Sequence, residues 1–571
     1  MNPCVPHDVA LPAARAGNKA SEDTMALGKW GSTLLRWRIT RYTKAFPELQ
    51  QRMMVEDCFT QWRSICGLNF LESTGDADIH ISFEKGKHGD TNDFKTNKFE
   101  ALFNEIGHAF IPPGDRAGTV HMNVDYPFDA RTLRLVFLHE IGHALGLGHS
   151  GNIVSVMYET HLAQSSFAGN EISAMQSLYG ENEDRLAFTQ FRAKGGVGKL
   201  DFGGGEDRCL AFNAITPFNK GRKEASMIVY RPGSGMLSVV NIGENHGVTA
   251  YKASADEDTV FYSTRNGLPG YDLKSTKDRV LAFDFTSNGS QDHILIYRPG
   301  SRKLYVMSFS AMEDQAPLLT TVSKSESGIN GRTDGFLADN RDTMFAFDWE
   351  HSGKMDHLVC YRPGQKKVWV IKPDHTSDSR WVEVYVSLSG FEPGIDLGDV
   401  RDKAFAFDYA GTGRMDHIVL YRPGTGAICI MEHLGITNLF AARYMQGNGG
   451  SGIGGFHLND KNHLGYALDY DGSGKMDHLV FYGPGSGAFW ILKRHDDDWY
   501  AVYAQDKGGL GSKEWGAWDF KSGADRSFAF DYLRTGQNNH VVVYRPGKKM
   551  LKMFDDNTED LINKTSSFKD G

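Results

Sequence analysis

From about Asn182 onward the chain repeats itself, and no other feature restricts its architecture as strongly. "VLAFDFTSNGSQDHILIYRPGSRKLYVM", "MFAFDWEHSGKMDHLVCYRPGQKKVWVI" and "AFAFDYAGTGRMDHIVLYRPGTGAICIM" are copies of one unit. The shared aspartate falls at Asp284, Asp348, Asp408, Asp469 and Asp531, with Asn213 in a more divergent first copy. The spacing is about 60 to 70 residues, a period that belongs to repeat architectures. Six copies with room for four short strands each predict a six-bladed, all-β propeller. Gly-rich strands such as "GLPGYDL" (Gly267–Leu273) and "GIGGFHL" (Gly452–Leu458) precede the cores. "GGVGKLDF" (Gly195–Phe202) precedes the first core, and the last copy has no such segment after it. The N-terminal strand then completes the final blade, which leaves no sheet edge open.

Ahead of the repeats the chemistry is concentrated in "ARTLRLVFLHEIGHALGLGHS". Apolar residues recur at helical spacing from Leu133 to Leu145, and His139 and His143, four apart, share one face one turn apart. Glu140 lies beside them, able to reach a metal-activated water without itself being a ligand. Gly146 is a natural helix stop because it accepts a left-handed conformation. The break lets the chain swing His149 back as a third ligand. Three imidazoles with an open fourth position describe a catalytic zinc site, with Glu140 as general base. A polar helix face explains a His-x-x-x-His pair alone; it does not explain the Gly and third His at these offsets.

His-Glu-x-x-His-x-x-Gly-x-x-His is the metzincin signature, and with Ser150 behind it the stretch from about Lys29 to Gly180 resembles the matrixins, the matrix metalloproteinases. The resemblance implies a mixed twisted sheet with long helices, and peptide-bond hydrolysis with zinc. Met157, eight residues past His149, falls where that family places its Met-turn. "LLRWRITRYT" (Leu34–Thr43) and "ADIHISF" (Ala77–Phe83) look like family strands. His88, Asp90, His108 and His121 stand where the family holds a second, structural zinc, and a closed four-ligand set suits that role. The family's Gly-rich loop and acidic pair for calcium are missing: the loop reads "DFKTNKFEALFNE", and Asn123 and Tyr126 stand where acids are expected. Glu159 replaces the usual proline after the Met-turn. "PCVPHDVA" looks like a degraded cysteine switch, in which the Cys4 thiolate would fill the open zinc position; a stray cysteine in a frayed terminus is the equal alternative.

In the repeats, Asp469, Asp471, Ser473 and Asp477 occupy positions 1, 3, 5 and 9 of a loop that resembles the calcium loops of FG-GAP or VCBS propellers. A tight Asp/Gly turn held by its own hydrogen bonds is the alternative, and the one that suits the other copies. His293, His357, His417, His478 and His540, one per blade, read as structural. The recurrent Tyr-Arg-Pro-Gly is either a hairpin corner or, with exposed aromatics and arginines, a sugar platform.

Charge and length close off other classes. The chain has 571 residues, with 62 basic against 71 acidic and no basic block, so nucleic acid is not an expected partner. No run approaches the roughly 18 apolar residues that span a bilayer. The N-terminus has no apolar signal core, so either the chain is not exported or an upstream segment is missing; sequons at Asn288 and Asn563 point toward secretion. Cys58 and Cys66, about 12 Å apart along one amphipathic helix, are too distant for a disulfide. Cys209, Cys360 and Cys429 read as buried free thiols. The expected layout is a propeptide remnant (1–24), a matrixin-like zinc metallopeptidase domain (25–181) and the propeller (182–571), acting on extracellular protein, with matrix or glycan as further partners. A glycan-binding propeller protein with a regulatory or inactive protease domain is the competing reading.

Overall fold

A computed structural model describes residues 25–90, 94, 106–158, 167–180, 186–194, 202–214, 225–241, 259–310, 318–327, 335–376, 381–391, 395–435, 439–495, 498–510, 518–532 and 535–556. Cys4, Glu159, the Asn563 sequon and most of Gly195–Phe202 lie outside them. The chain divides into two compact units, the first holding the described residues to Leu186 with Trp490–Gln505, the second holding the remainder.

The first unit has a five-stranded sheet of β1 (Leu34–Arg41), β2 (Asn69–Glu72), β3 (Ile79–Glu84), β4 (Gly107–Ala109) and β5 (Thr119–Asn123), in the order β2-β1-β3-β5-β4. All neighbours are parallel except β4, which runs antiparallel to β5 and forms the edge. Helix α1 (Glu48–Arg63) packs on α2 (Ala130–Ala144), and α3 (Gly169–Tyr179) ends the unit. Asp129 caps α2, its carboxylate accepting the Thr132 N–H at 2.6 Å. Every α2 residue from Leu133 to Ala144 is buried, so packing on all sides, not one apolar stripe, holds it. Trp62 of α1 donates its indole N–H to the Leu138 carbonyl, 2.9 Å away. Gly142 makes that contact possible: a Cβ there would stand 2.4 Å from the Met157 sulfur and 2.7 Å from the Trp62 ring. Gly146 stops the helix with φ of 110° and presses against the Gly28 carbonyl.

One helix expectation is corrected. Cys58 lies in α1, but the helix ends at Arg63 and Cys66 lies in the turn beyond, where Ser64 and Ile65 close shorter backbone bonds to Gln61 and Trp62. The five described cysteines are all buried and free.

The second unit is built of four-stranded sheets, and the chain carries six in all, the blades of a six-bladed propeller. Their first strands are Arg208–Asn213, Arg279–Phe283, Thr343–Phe347, Lys403–Phe407, Leu464–Leu468 and Arg526–Phe530. The last blade is completed by Leu186–Lys194, so the N-terminal strand does close the ring. The Gly-rich segments are turns, not strands: Leu268 and Tyr271 exchange backbone bonds of 2.7 and 2.9 Å, and Ile453 and Phe456 do the same.

Tyr-Arg-Pro-Gly is a fastening between and within blades. The tyrosine oxygen accepts a backbone N–H from the next blade's first strand, as Tyr230 does from Val280, Tyr361 from Ala404 and Tyr482 from Ser527. Tyr544 of the last blade reaches Cys209 of the first, across the seam. The arginine forks onto a buried aspartate just ahead of its own blade's first strand: Arg231–Asp207, Arg298–Asp278, Arg362–Asp342, Arg422–Asp402 and Arg545–Asp525. Blade five has lost both partners together, with His463 in the aspartate's place and Gly483 in the arginine's. The tyrosines are at most 5% exposed, which removes this motif as a sugar platform.

Candidate metal centres

Helix α2 sets His139 and His143 one turn apart, and the chain reversal at Gly146 returns His149 to them. The Nε2 atom of His143 lies 3.1 Å from that of His139 and 3.2 Å from that of His149. For Zn–N bonds of 2.0–2.1 Å, a tetrahedron has edges of about 3.3 Å, so the spacing suits one ion. The opposite ring nitrogens are already committed. Nδ1 of His139 donates to the Val156 carbonyl and Nδ1 of His143 to the Leu147 carbonyl, both at 2.8 Å. Those bonds fix the tautomers and turn the Nε2 lone pairs toward one point. Burial pushes His139 down to about 4 and His143 well below its usual range, so both are neutral donors for a metal near neutral pH. Lone pairs held this close in a buried place repel unless a cation sits between them, and the donor set fits zinc.

Glu140 is fully buried, and its carboxylate lies against Gly107 of the edge strand β4. Met157 is fully buried beneath α2 at Gly142, and its carbonyl accepts the Ser150 N–H at 2.8 Å. The sequence reading missed what holds that turn. Glu171, buried on α3, accepts the Ser155 hydroxyl, the Met157 N–H at 3.2 Å and the Ala168 N–H at 2.7 Å. One carboxylate thus ties the Met-turn to the start of α3. Its only signal in the sequence is a Glu in the first turn of an amphipathic run.

The second cluster gathers four groups from three places. Asp90 Oδ2 lies 2.8 Å from His121 Nδ1, 2.9 Å from His108 Nε2 and 3.1 Å from His88 Nε2. His108 and His121 come from the antiparallel pair β4–β5, directly opposite each other in register. Phe94 stacks on His88 at 4.9 Å and shields it. Burial lowers His108 to about 4 and also lowers His121. Four ligand atoms within 4.8 Å of one another form a closed set of the kind a structural zinc takes.

These shifts predict a pH dependence for metal-stripped protein. His139 and His108 have folded values near 4 against an ordinary 6.5. Between those values the unfolded chain binds more protons than the fold, so stability is full above pH 6.5 and drains as pH falls toward 4. Unfolding midpoints measured in chelator across that window should fall steadily; a flat profile would show that the histidines are not buried neutral in the fold.

In the propeller, Asp469 spends both carboxylate oxygens on its own loop, accepting the N–H of Ser473 at 2.9 Å and of Gly474 at 2.8 Å. Asp284, Asp348, Asp408 and Asp531 do the same. Among the described residues the groups that converge in blade five are Asp471, Asp477 and His478, without Asp469; Ser473 Oγ turns back to Asp469 at 3.4 Å. His293, His357, His417 and His478 are buried; each of the first three sets Nδ1 on the aspartate before it, and His478 Nδ1 lies 2.8 Å from Asp477.

Comparison with known proteins agrees with the geometry. Residues 29–180 match the family model described as matrixin. Matrilysin of Rattus norvegicus is 37% identical over 163 residues, covering 27% of this chain and 59% of the relative. Matrilysin of Homo sapiens is 32% identical over 166 residues, with 27% and 60% covered. Interstitial collagenase of Oryctolagus cuniculus is 32% identical over 163 residues, with 27% and 34% covered. The chain therefore spans about three-fifths of the matrilysins and a third of the collagenase. Residues 29–180 of this chain are a matrixin domain.

Proposed function

We propose that the chain is a zinc-dependent metalloendopeptidase. The observation that carries this reading is the convergence of three Nε2 atoms, those of His139 and His143 with their Nδ1 atoms fixed on backbone carbonyls, beside a buried carboxylate. His139, His143 and His149 would hold the zinc, which when bound supplies a Lewis acid that lowers the pKa of water to about 7 and polarises a peptide carbonyl. Glu140 takes the proton of the attacking water and passes it to the leaving amine. β4 is the outermost strand of the described sheet order and lies beside Glu140, which is where an extended substrate would align as a further strand. His88, Asp90, His108 and His121 would hold a structural zinc that pins β4 to β5 and to the preceding loop.

The boundaries follow: 1–24 as propeptide remnant, 25–181 as peptidase and 182–571 as propeller. The word interstitial in the name of the collagenase relative supports an extracellular setting. The propeller's part is to recruit substrate, matrix or glycan. A cavity of about 210 Å³ lined by Ser287, Glu350, Asp356, His357, Lys372 and His375 supports the glycan arm. Digestion of casein or gelatin by the purified chain should stop with a zinc chelator and return when zinc is restored. Digestion at full rate in chelator would overturn the proposal.

A further inference from the structure

The propeller's first strands form a circuit. Each neighbours the first strands of both flanking blades, and the circuit closes between Arg526–Phe530 and Arg208–Asn213. The residues that open these strands are Arg208, Arg279, Thr343, Lys403, Leu464 and Arg526. Each lies opposite the tyrosine of its own Tyr-Arg-Pro-Gly or Tyr-Gly-Pro-Gly, so all six share one register and one height on the axis. Four of the six are cations, in a protein whose formal charge is −9.

That charge is surplus. The buried aspartates next to these positions, Asp207, Asp278, Asp402 and Asp525, are each neutralised by the Tyr-Arg-Pro-Gly arginine. Arg208 has the exposed Glu206 at 3.1 Å; among the described residues no carboxylate forms an ion pair with Arg279, Lys403 or Arg526. Three of the four are held in one pose. Nη1 of Arg208, Arg279 and Arg526 donates to the carbonyl of the preceding aspartate and to another in the turn before it. Arg279 and Arg526 thus keep the rest of the guanidinium fork available, positioned before any ligand arrives. Lys403 and Arg526 come from blades four and six, with Leu464 between them. They still sense each other: burial first, and the Arg526 charge second, hold the Lys403 ammonium below its ordinary range. Two residues further along the same strands the chain carries Leu210, Leu281, Phe345, Phe405, Tyr466 and Phe528, an almost wholly apolar tier with no counter-charge.

We propose that the cationic ring of Arg208, Arg279, Lys403 and Arg526 at one end of the propeller axis binds an oxyanion, a sulfate, phosphate or carboxylate group presented along that axis. Like charges gathered at one height, with fixed guanidinium donors and an apolar tier adjoining them, match a compact anion of more than one charge. The same arrangement rejects a metal cation. This inference stands on the propeller alone, so it does not depend on hydrolysis.

The test is calorimetric titration of the full-length chain at constant ionic strength with three probes: inorganic pyrophosphate, citrate and a sulfated disaccharide. Saturable one-to-one binding of at least one probe is expected, and the probe that binds tightest names the group's carrier. Lys403→Met with Arg526→Met should weaken it by about tenfold, whereas Lys324→Met, on the outermost strand of blade two, should leave it unchanged. Arg279→Met alone should weaken it by a smaller factor, which keeps the test decisive if the double variant does not fold. The proposal is overturned if no probe saturates below about 1 mM, or if folded variants bind as tightly as the unaltered protein.

Discussion

Protein carrying Glu140→Gln is expected to keep its metal and lose its hydrolysis. The substitution preserves shape and burial beside Gly107 of the edge strand, and the three imidazoles are untouched. An amide, however, cannot accept a proton from water, and a positioned base contributes about 10²–10⁴ in rate. Metal content should stay at the unaltered level while kcat/KM on a fluorogenic peptide falls by about that factor, with an unchanged unfolding midpoint. Digestion at the original rate would remove Glu140 from the chemistry. Loss of one zinc would instead make it a ligand.

The largest effect on stability is expected in blade three. Arg362 grips Asp342 with two bonds of 2.5 and 2.8 Å, donates to the Gly335 carbonyl at 3.1 Å and lies 5.2 Å over the Trp369 ring. The side chains are 5% and 0% exposed. Even with the guanidinium in place, burial holds the Asp342 carboxyl above its usual range. Arg362→Met would strand that carboxylate, and breaking a buried pair from one side costs about 3–5 kcal/mol. Adding Asp342→Asn should recover more than half of the loss, because the charge that needed a partner is then gone. Urea unfolding of the single and double variants checks this. A double variant no more stable than the single one would show that packing around Arg362, not its charge, holds the blade. Blade five is the natural counterpart, having given up both partners at His463 and Gly483.

Much of this was legible in the sequence because the governing patterns are short and local. His139, Glu140 and His143 follow from helical period, His149 from the stop at Gly146, and six blades from the spacing of Asp284 and its counterparts. The second cluster was legible only through resemblance, since His88, Asp90, His108 and His121 meet by strand pairing that no local rule encodes. Glu171 stayed hidden for a related reason: its partners Ser155 and Met157 are distant in the chain and bound largely through backbone. The Tyr-Arg-Pro-Gly role was read too openly. The paired replacement of aspartate by His463 and of arginine by Gly483 was visible in the repeats, and it ties the arginine to an aspartate twenty positions earlier instead of to a ligand. The Gly-rich segments were misread as strands because their aromatic content resembles strand composition, while their paired backbone bonds close within four residues.

Leu186–Lys194 is both the first propeller segment in the chain and the last rung of the final blade. Tension applied from the N-terminal side would therefore be delivered straight to the seam, peeling that rung before any other blade feels the load. Opening the ring is then a mechanical event with one defined starting point, and trimming Leu186–Lys194 away would spare every other rung while unfastening the circle.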